Sequence, residues 1–336
     1  MEILILYNRA RELKKGIPSD LICEQEMKII VPLVADLLQN KGYGVQTLRT
    51  EFGLWEQLKK RRKSVDLVLN LAEGFGGGNS DEPLVPAMLE ALNVPFTGAS
   101  ARNMYFTLDK EKTKVFLHQA GIPIPKWQLF RDETTDLSPD LQFPLIVKPV
   151  REEASIGIYE DSVVTTEVEM KRKVSHTLAR YKQPALVEQY IEGRELSVGI
   201  IGNYPDLDVL PPLEFLFEDA TSPLQAFRSY EYKWGGRKEQ MVRANITRGL
   251  HDQLVDYARV AFIETECQDY ARMDYRIDKE GNPYLLEVNY NPGIGPNTHG
   301  LNNTLTMMAS FKGLSFEDMV EDIILSSAKR YGIATS

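Results

Sequence analysis

Two short apolar runs, EILILY (residues 2–7) and VDLVLNL (65–71), read as buried strands of the parallel type. Between them Ile29, Ile30, Leu33, Val34, Leu37 and Leu38 recur at the spacing of one helix face, which stops at Lys41-Gly42. Pro32 falls inside that pattern, so the helix is either kinked or begins later than its apolar residues suggest. After the second strand come AEGFGGGN (72–79) and then PLVPAMLEALNVPFTG, a helix followed by a short strand. This alternation predicts an α/β region, an open parallel sheet with helices on both faces.

From about residue 105 the texture changes. TLDKEKTKVFLHQAG predicts an amphipathic helix with a glycine stop, and FPLIVKPV (143–150) a buried strand carrying one lysine. ALVEQYIEGRELSVGIIG (185–202) reads as two strands around Gly193, and a last helix is expected near 315–330. Neither an internal repeat nor a low-complexity tract is found.

ARMDYRIDKEGNPYLLEVNYNPG (271–293) predicts a hairpin with a chemical face. Side chains alternate along a strand, so Arg272 and Asp274 share one side, and Glu287 and Asn289 share one side of the return strand. A turn pairing Asp278 with Pro283 would set 274 opposite 287 and 272 opposite 289. Carboxylates facing each other destabilise a sheet by up to about 1 kcal/mol. A divalent cation would relieve that conflict, since Mg2+ takes carboxylate oxygens together with substrate phosphates. An ordinary solvent-exposed hairpin is the competing reading.

With 336 residues the chain has room for two or three domains, and its 43% hydrophobic and 26% charged content is that of a globular protein. A net charge of −9 argues against nucleic-acid binding, and the basic run Lys59–Lys63 reads as a solvated helix end. Cys23 and Cys267 lie far apart without metal-ligand spacing, which points to a reducing compartment. MEILILY is too short and acidic for a signal peptide, and no run approaches the roughly 18 apolar residues of a membrane span. A cytoplasmic protein that neither binds nucleic acid nor enters a membrane is expected.

GFGGG lacks the Lys-Ser/Thr ending of a phosphate loop and the spacing of a dinucleotide fingerprint, so a flexible loop is the better reading. His118, His176 and His251 form no metal or triad spacing; His299, in GPNTHG beside the hairpin, is a candidate for substrate contact. Lys148 is costly in a buried strand unless an anion pairs with it or it snorkels from the strand end. Glu188 and Glu195 bracket Gly193 in apolar sequence and need donors, such as ribose hydroxyls or an amine.

Taken in order, DKEKTK, GIPIP, FPLIVKP, EQYIEGREL and ARMDY…LLEVNYNPG resemble the ATP-grasp superfamily, in its D-alanine–D-alanine ligase branch. NLAEGFGGGNSDEPLVPAMLEALNVPFTG is similar to that branch's NLHG…GEDG…LE…PYTG. The resemblance implies an α+β ATP-grasp fold: an N-terminal α/β domain (1–100), then central (101–185) and C-terminal (186–336) subdomains that clasp ATP. It implies that Lys110, Lys148 and Lys233 contact phosphates, that Glu188, Tyr190 and Ile191 line the adenine pocket, that Glu195 holds the ribose, and that Leu286 also belongs to the ATP site. Asp274, Glu287 and Asn289 would bind two Mg2+ ions, with Mn2+ as the alternative, and Arg272 would stabilise the transition state. Ser155 and Lys233 complete the expected catalytic set. Amino-acid-like small molecules are the expected partners, and a homodimer is implied by resemblance alone.

Departures cluster where substrates would be recognised. The family's GSS loop reads Glu153-Ala154-Ser155, and the tyrosine after the phosphate-binding lysine is Trp234. The N-terminal GG.S.E loop is missing, leaving Glu24 or Glu26 to stand in for its glutamate. PGIGPNTHG replaces PGMT.HS, so Gly293, Thr298 and His299 are the substrate-carboxylate candidates. Glu153 adds a negative charge near the acyl site that would favour a cationic substrate. The expected activity is an ATP-dependent carboxylate–amine ligation through an acyl phosphate, diverged from D-alanine pairs. The alternatives are a D-alanine–D-alanine ligase proper and an ATP-binding protein without catalysis. A closing lid is expected at REEASIG and FRSYEYKWGGRKEQ.

Overall fold

The computed structural model of the chain describes residues 1–8, 26–75, 81–298 and 303–334. The first segment holds β1 (Glu2–Tyr7), α1 (Met27–Asn40), β2 (Gly44–Arg49), α2 (Leu54–Arg61), β3 (Leu67–Asn70) and α3 (Leu84–Ala91). Its three strands form a parallel sheet in the order β2–β1–β3. The alternation along β1 decides the layers. Ile3 and Ile5 pack with α1, while Leu4 and Leu6 pack with Leu54, Leu58, Val85 and Leu89 of α2 and α3. Helix α1 begins at Met27 and runs through Pro32, so the late start does not occur. The short strand expected before Gly98 is a single parallel bridge between Phe96 and Val68. Lys59 and Lys60 lie exposed in the last turn of α2.

The middle segment holds α4 (Ala101–Thr107), α5 (Lys110–Gln119), β4 (Trp127–Phe130), β5 (Leu145–Pro149), β6 (Val163–Val164), α6 (Glu167–Tyr181) and β7 (Ala185–Gln189). Its strands form an antiparallel sheet in the order β4–β7–β5–β6, with Met170 and Val174 of α6 packed on it. The division expected at residues 185–186 would part β7 from its partners β4 and β5. The chain instead leaves this sheet after Gln189, because the backbone pairing of 185–189 is spent there.

The last segment comprises β8 (Arg194–Asn203), β9 (Asp206–Val209), β10 (Leu213–Phe217), α7 (Tyr230–Lys233), β11 (Glu239–Arg243), α8 (Arg248–Glu264), β12 (Tyr270–Ile277), β13 (Pro283–Asn289), α9 (Thr304–Phe311) and α10 (Phe316–Tyr331). Its sheet runs β11–β10–β8–β12–β13, with β9 beside β8. One face is covered by α8 together with residues of α4 and α5. The other face meets α9 and α10, whose Leu305, Met308, Met319 and Ile323 share one core with α1 and β1. The parallel sheet is thus anchored on the back of the hairpin sheet. No helix among the described residues is long and apolar enough to cross a membrane.

Candidate active site

Strands β12 and β13 place Arg272 opposite Asn289 and Asp274 opposite Glu287. The turn is tighter than expected. Asp278 N–H donates to the Asn282 carbonyl at 3.0 Å, and Gly281 takes φ +91°, a three-residue loop with a left-handed glycine. A bulge between the 274–287 and 275–285 pairs then inserts Leu286 and restores the register. The functional face stays intact because two one-residue differences cancel.

On that face every carboxylate already has a cation. Arg272 donates twice to Asp274, at 2.8 Å each, and Ser197 Oγ donates to the same carboxylate at 2.5 Å. Lys110 Nζ lies 3.3 Å from Glu287 and 3.3 Å from Glu153, and donates to the Glu152 carbonyl at 2.5 Å. Burial alone would raise Glu287, but Lys110, Lys148 and Arg272 hold it well below the usual carboxylate range. Burial lifts Glu153 against the pull of the same Lys110. Glu153 is therefore no bare charge awaiting a cationic substrate; its carboxylate is spent on Lys110.

Lys110 and Lys114 sit one helical turn apart on α5, which Asp109 caps by accepting from Lys112 N–H at 3.3 Å. Both point into the protein. Glu188 on β7 lies between Lys114, at 3.0 Å, and Lys148 of β5, at 2.7 Å. Lys148 thus has a carboxylate partner in the cross-strand neighbourhood, where Ile146 faces Glu188 in register. Burial pushes the Lys114 ammonium down to about 8 despite Glu188. Burial would raise Glu188, yet the two lysines override it and keep it low.

A cleft opens between the middle and last sheets. Lys148, Glu188, Tyr190, Ile191 and Glu195 line it from one side, and Arg272, Asp274, Leu286, Glu287 and Asn289 from the other. Glu153, Ser155 and Lys233 close the top. Lys110 stands behind this wall, reached through Glu153 and Glu287.

Sequence reasoning missed the residues that shape these walls. Arg276 extends the period-two face of β12 by one more step. It donates to the Ile191 carbonyl at 2.9 Å, lies 3.2 Å from Glu195, and stacks over the Tyr190 ring. Arg228 forms a buried ion pair with Glu239 at 3.0 Å, while its N–H donates to Glu195 at 3.2 Å. The two segments expected to form a lid meet here: Ser155 Oγ donates to the Arg228 carbonyl at 3.0 Å, and Tyr230 N–H to the Ile158 carbonyl at 2.7 Å.

The substrate candidates divide. Glu26, at the start of α1, lies within electrostatic reach of Lys233 and Arg228, with burial raising its carboxyl above the ordinary value. Glu24 and His299 lie outside the described residues. Gly293 and Thr298 do not line the cleft; Thr298 borders a separate groove with Leu33, Met307 and Leu314.

Glu82, unforeseen in the sequence, ties the N-terminal layer to the hairpin exit. It accepts from Tyr290 OH at 3.0 Å and from Asn291 Nδ2 at 2.8 Å, while Asn291 N–H donates to Asn289 Oδ1 at 3.1 Å. Complete burial pushes its carboxyl up to about 8. A folded-state value above the unfolded 4.5 means that the native protein binds the extra proton, so this stabilisation is complete below about pH 4.5 and is lost as pH rises through 8. Glu82→Gln, which keeps the neutral shape, is expected to flatten that loss. Melting curves at pH 5 and 9 that fall in parallel for both proteins would refute it.

The oxygen donors of Asp274, Glu287 and Asn289 fit a hard divalent cation. Among the described residues no cluster of three or more acids, histidines or cysteines forms a cage.

Comparison with known proteins identifies the family. The family model described as the D-ala D-ala ligase C-terminus matches residues 116–325. The chain belongs to the D-alanine–D-alanine ligase family. It is therefore an ATP-grasp ligase, of the class that forms C–N bonds. The D-alanine–D-alanine ligase of Carboxydothermus hydrogenoformans is 30% identical over 86% of this chain and 89% of its own length. The uncharacterized protein y4sG of Sinorhizobium fredii is 34% identical, over 90% of this chain and 88% of its own. The D-alanine–D-alanine ligase of Bacillus anthracis, solved in complex with ATP, shares the fold with a TM-score of 0.74 at 21% identity, covering 99% of both chains.

Proposed function

We propose that the protein joins the carboxyl group of one amino acid or amino-acid-like acid to the amine of another, at the expense of ATP, and that its pair of substrates is not two D-alanines. The observation that carries the ligase reading is the single cleft whose walls bring Lys148, Lys233, Arg272, Asp274, Glu287 and Asn289 together.

In this reading Lys148 and Lys233 hold the phosphates, Tyr190, Ile191 and Leu286 flank the adenine, and Glu195 takes the ribose. Asp274, Glu287 and Asn289 would hold two Mg2+ ions, which neutralise charge on the phosphate oxygens when bound. Binding them requires Arg272 and Lys110 to loosen their present ion pairs, which frees both cations for anionic oxygens. A carboxylate is a poor electrophile; its oxygen attacks the terminal phosphorus, the bond to ADP breaks, and an acyl phosphate results. The amine then attacks the acyl carbon and phosphate leaves. Negative charge gathers on oxygen in both steps, where Arg272 is placed to meet it. Water would destroy the acyl phosphate, so the 153–158 loop over the cleft has a direct chemical purpose.

Ala154 and Trp234 favour divergence, because each stands where the family pattern carries a hydroxyl. A D-alanine–D-alanine ligase proper is the second reading, supported by the name of the Carboxydothermus relative. The proposed setting is the cytoplasm. The deciding measurement is Mg-ATP-dependent phosphate release across paired amino acids, with Glu287→Ala as the control for contaminating ATPase. Release with a pair other than D-alanine supports the proposal. Efficient turnover of D-alanine alone would overturn the divergence and leave the ligase chemistry standing.

A further inference from the structure

Strand β13 ends at Asn289, and the chain leaves it through Tyr290 and Asn291 before Pro292. One carboxylate from another layer holds both of those side chains. Glu82, two residues before α3, accepts from Tyr290 OH through one oxygen, at 3.0 Å, and from Asn291 Nδ2 through the other, at 2.8 Å. The oxygen end of the Asn291 carboxamide accepts from Tyr270 OH at 2.7 Å. Tyr270, the first residue of β12, is fully buried, and Glu82 and Tyr290 are nearly so. Asn291 is therefore held at both ends of its side chain. Pro292 adds a backbone restraint, since the residue before a proline is confined to extended conformations.

The main chain held in this way makes one further bond. Asn291 N–H donates to Asn289 Oδ1 at 3.1 Å. Of the two ends of a carboxamide only the oxygen can ligate a hard cation, and that oxygen carries two lone pairs. The Asn291 N–H engages one of them, which fixes where the oxygen lies. Asn289 lines the cleft, while Glu82 and Asn291 do not. Any influence they have on the cleft passes through Asn289.

We propose that Glu82 and Asn291 are positioning residues of the metal platform, holding the Asn289 carboxamide so that its oxygen is presented to a divalent cation. The assignment rests on reading Asp274, Glu287 and Asn289 as cation ligands. Three variants separate its parts. Glu82→Ala removes both anchors, and Asn291→Ala removes the side chain while keeping its N–H. Glu82→Gln keeps an acceptor for Asn291 and a polar partner for Tyr290.

The test is Mn2+ binding in the presence of a non-hydrolysable ATP analogue, followed by loss of the free-ion electron paramagnetic resonance signal. The Mn2+ dissociation constant is expected to rise about tenfold in Asn291→Ala and Glu82→Ala, and to stay within about twofold in Glu82→Gln. In an Asn289→Ala background the Asn291→Ala change should add nothing, because its effect runs through that carboxamide. Wild-type affinity in Asn291→Ala would overturn the proposal, whatever the melting temperature of the variant. Equal losses in Glu82→Gln and Glu82→Ala would overturn the part given to Glu82. Losses that add in the Asn289→Ala background would overturn it too, since the effect would then reach the ion by another route. Should Glu82→Ala fail to fold, Asn291→Ala and its double variant still decide. A wild-type protein that binds no Mn2+ would bring down the cation reading itself and this proposal with it.

Discussion

Glu188→Ala is expected to lower the free energy of unfolding by about 3–5 kcal/mol, because it leaves two buried lysines without their shared counter-charge. Glu188 and Lys114 are both almost wholly inside the protein, so water cannot take over. The pH dependence identifies the cause. Lys114 in the fold is already pushed to about 8 from its ordinary 10.5, so between those values the unfolded chain binds more protons and stability rises with pH. Removing Glu188 deepens the depression and widens that window downward. The deficit of the variant should therefore shrink as pH climbs towards 8, above which both proteins gain stability alike. A Lys114→Met change added to Glu188→Ala should recover part of the loss, since an apolar side chain needs no partner. Urea unfolding at pH 7 and pH 9.5 is the measurement; a loss under 1 kcal/mol, equal at both values, would mean the pair is solvated. If Lys148 holds phosphates as proposed, nucleotide binding should weaken in the same variant, because Glu188 also holds Lys148.

The contrast between what was legible in the chain and what was not follows from contact range. Strand β1 and helices α5 and α10 follow from local periodicity, and their ends lie where caps and glycine stops place them. The pairing of Asp274 with Glu287 was also legible, since alternation on two adjacent strands needs only a turn between them. Nothing local announces the bulge at Leu286, which depends on how β12 also pairs with β8 on its other edge. Likewise β7 reads as one block with β8, and only the competing edges of two sheets send them apart.

The cluster around Glu188 shows the same limit in the site itself. Lys148 stands out as a charge in an apolar strand, and that position implies an anion. That anion in the fold is a protein carboxylate 40 residues later, a partner that pattern reading cannot choose among the acids. Arg276 is different, because one further step of the same alternation reaches it. Glu82 offers no such step: its partner Tyr290 lies in another layer, 208 residues away. Alternation locates the polar platform, and tertiary packing decides which charges it spends on itself.

Asp269 carries the second large effect, and it concerns how the platform is held. It is fully buried one residue before β12 begins, three positions ahead of Arg272. Its carboxylate accepts from Gly98 N–H at 2.8 Å, from Asn203 Nδ2 at 2.8 Å, and from Arg330 Nη2 of α10 at 2.7 Å, with Ser327 Oγ as a further donor. Arg330 in turn donates to the Phe96 carbonyl at 2.8 Å. One side chain therefore joins the end of the parallel layer, the last helix and the strand that bears Arg272 and Asp274. Asp269→Ala is expected to cost about 3–5 kcal/mol from the unpaired guanidinium. The residue's φ of +62° adds roughly 1 kcal/mol, because alanine tolerates the left-handed region poorly. Asp269→Asn accepts that backbone and keeps an acceptor for Gly98, so it should lose distinctly less. Asp269→Gly keeps the backbone and none of the donors' partners, and should fall close to alanine less the strain. Urea denaturation of the three variants orders them Asn, Gly, Ala from most to least stable. Alanine and asparagine variants of equal stability would show that the carboxylate's charge on Arg330 and the left-handed turn contribute nothing, and that the parallel layer is held by its apolar core alone.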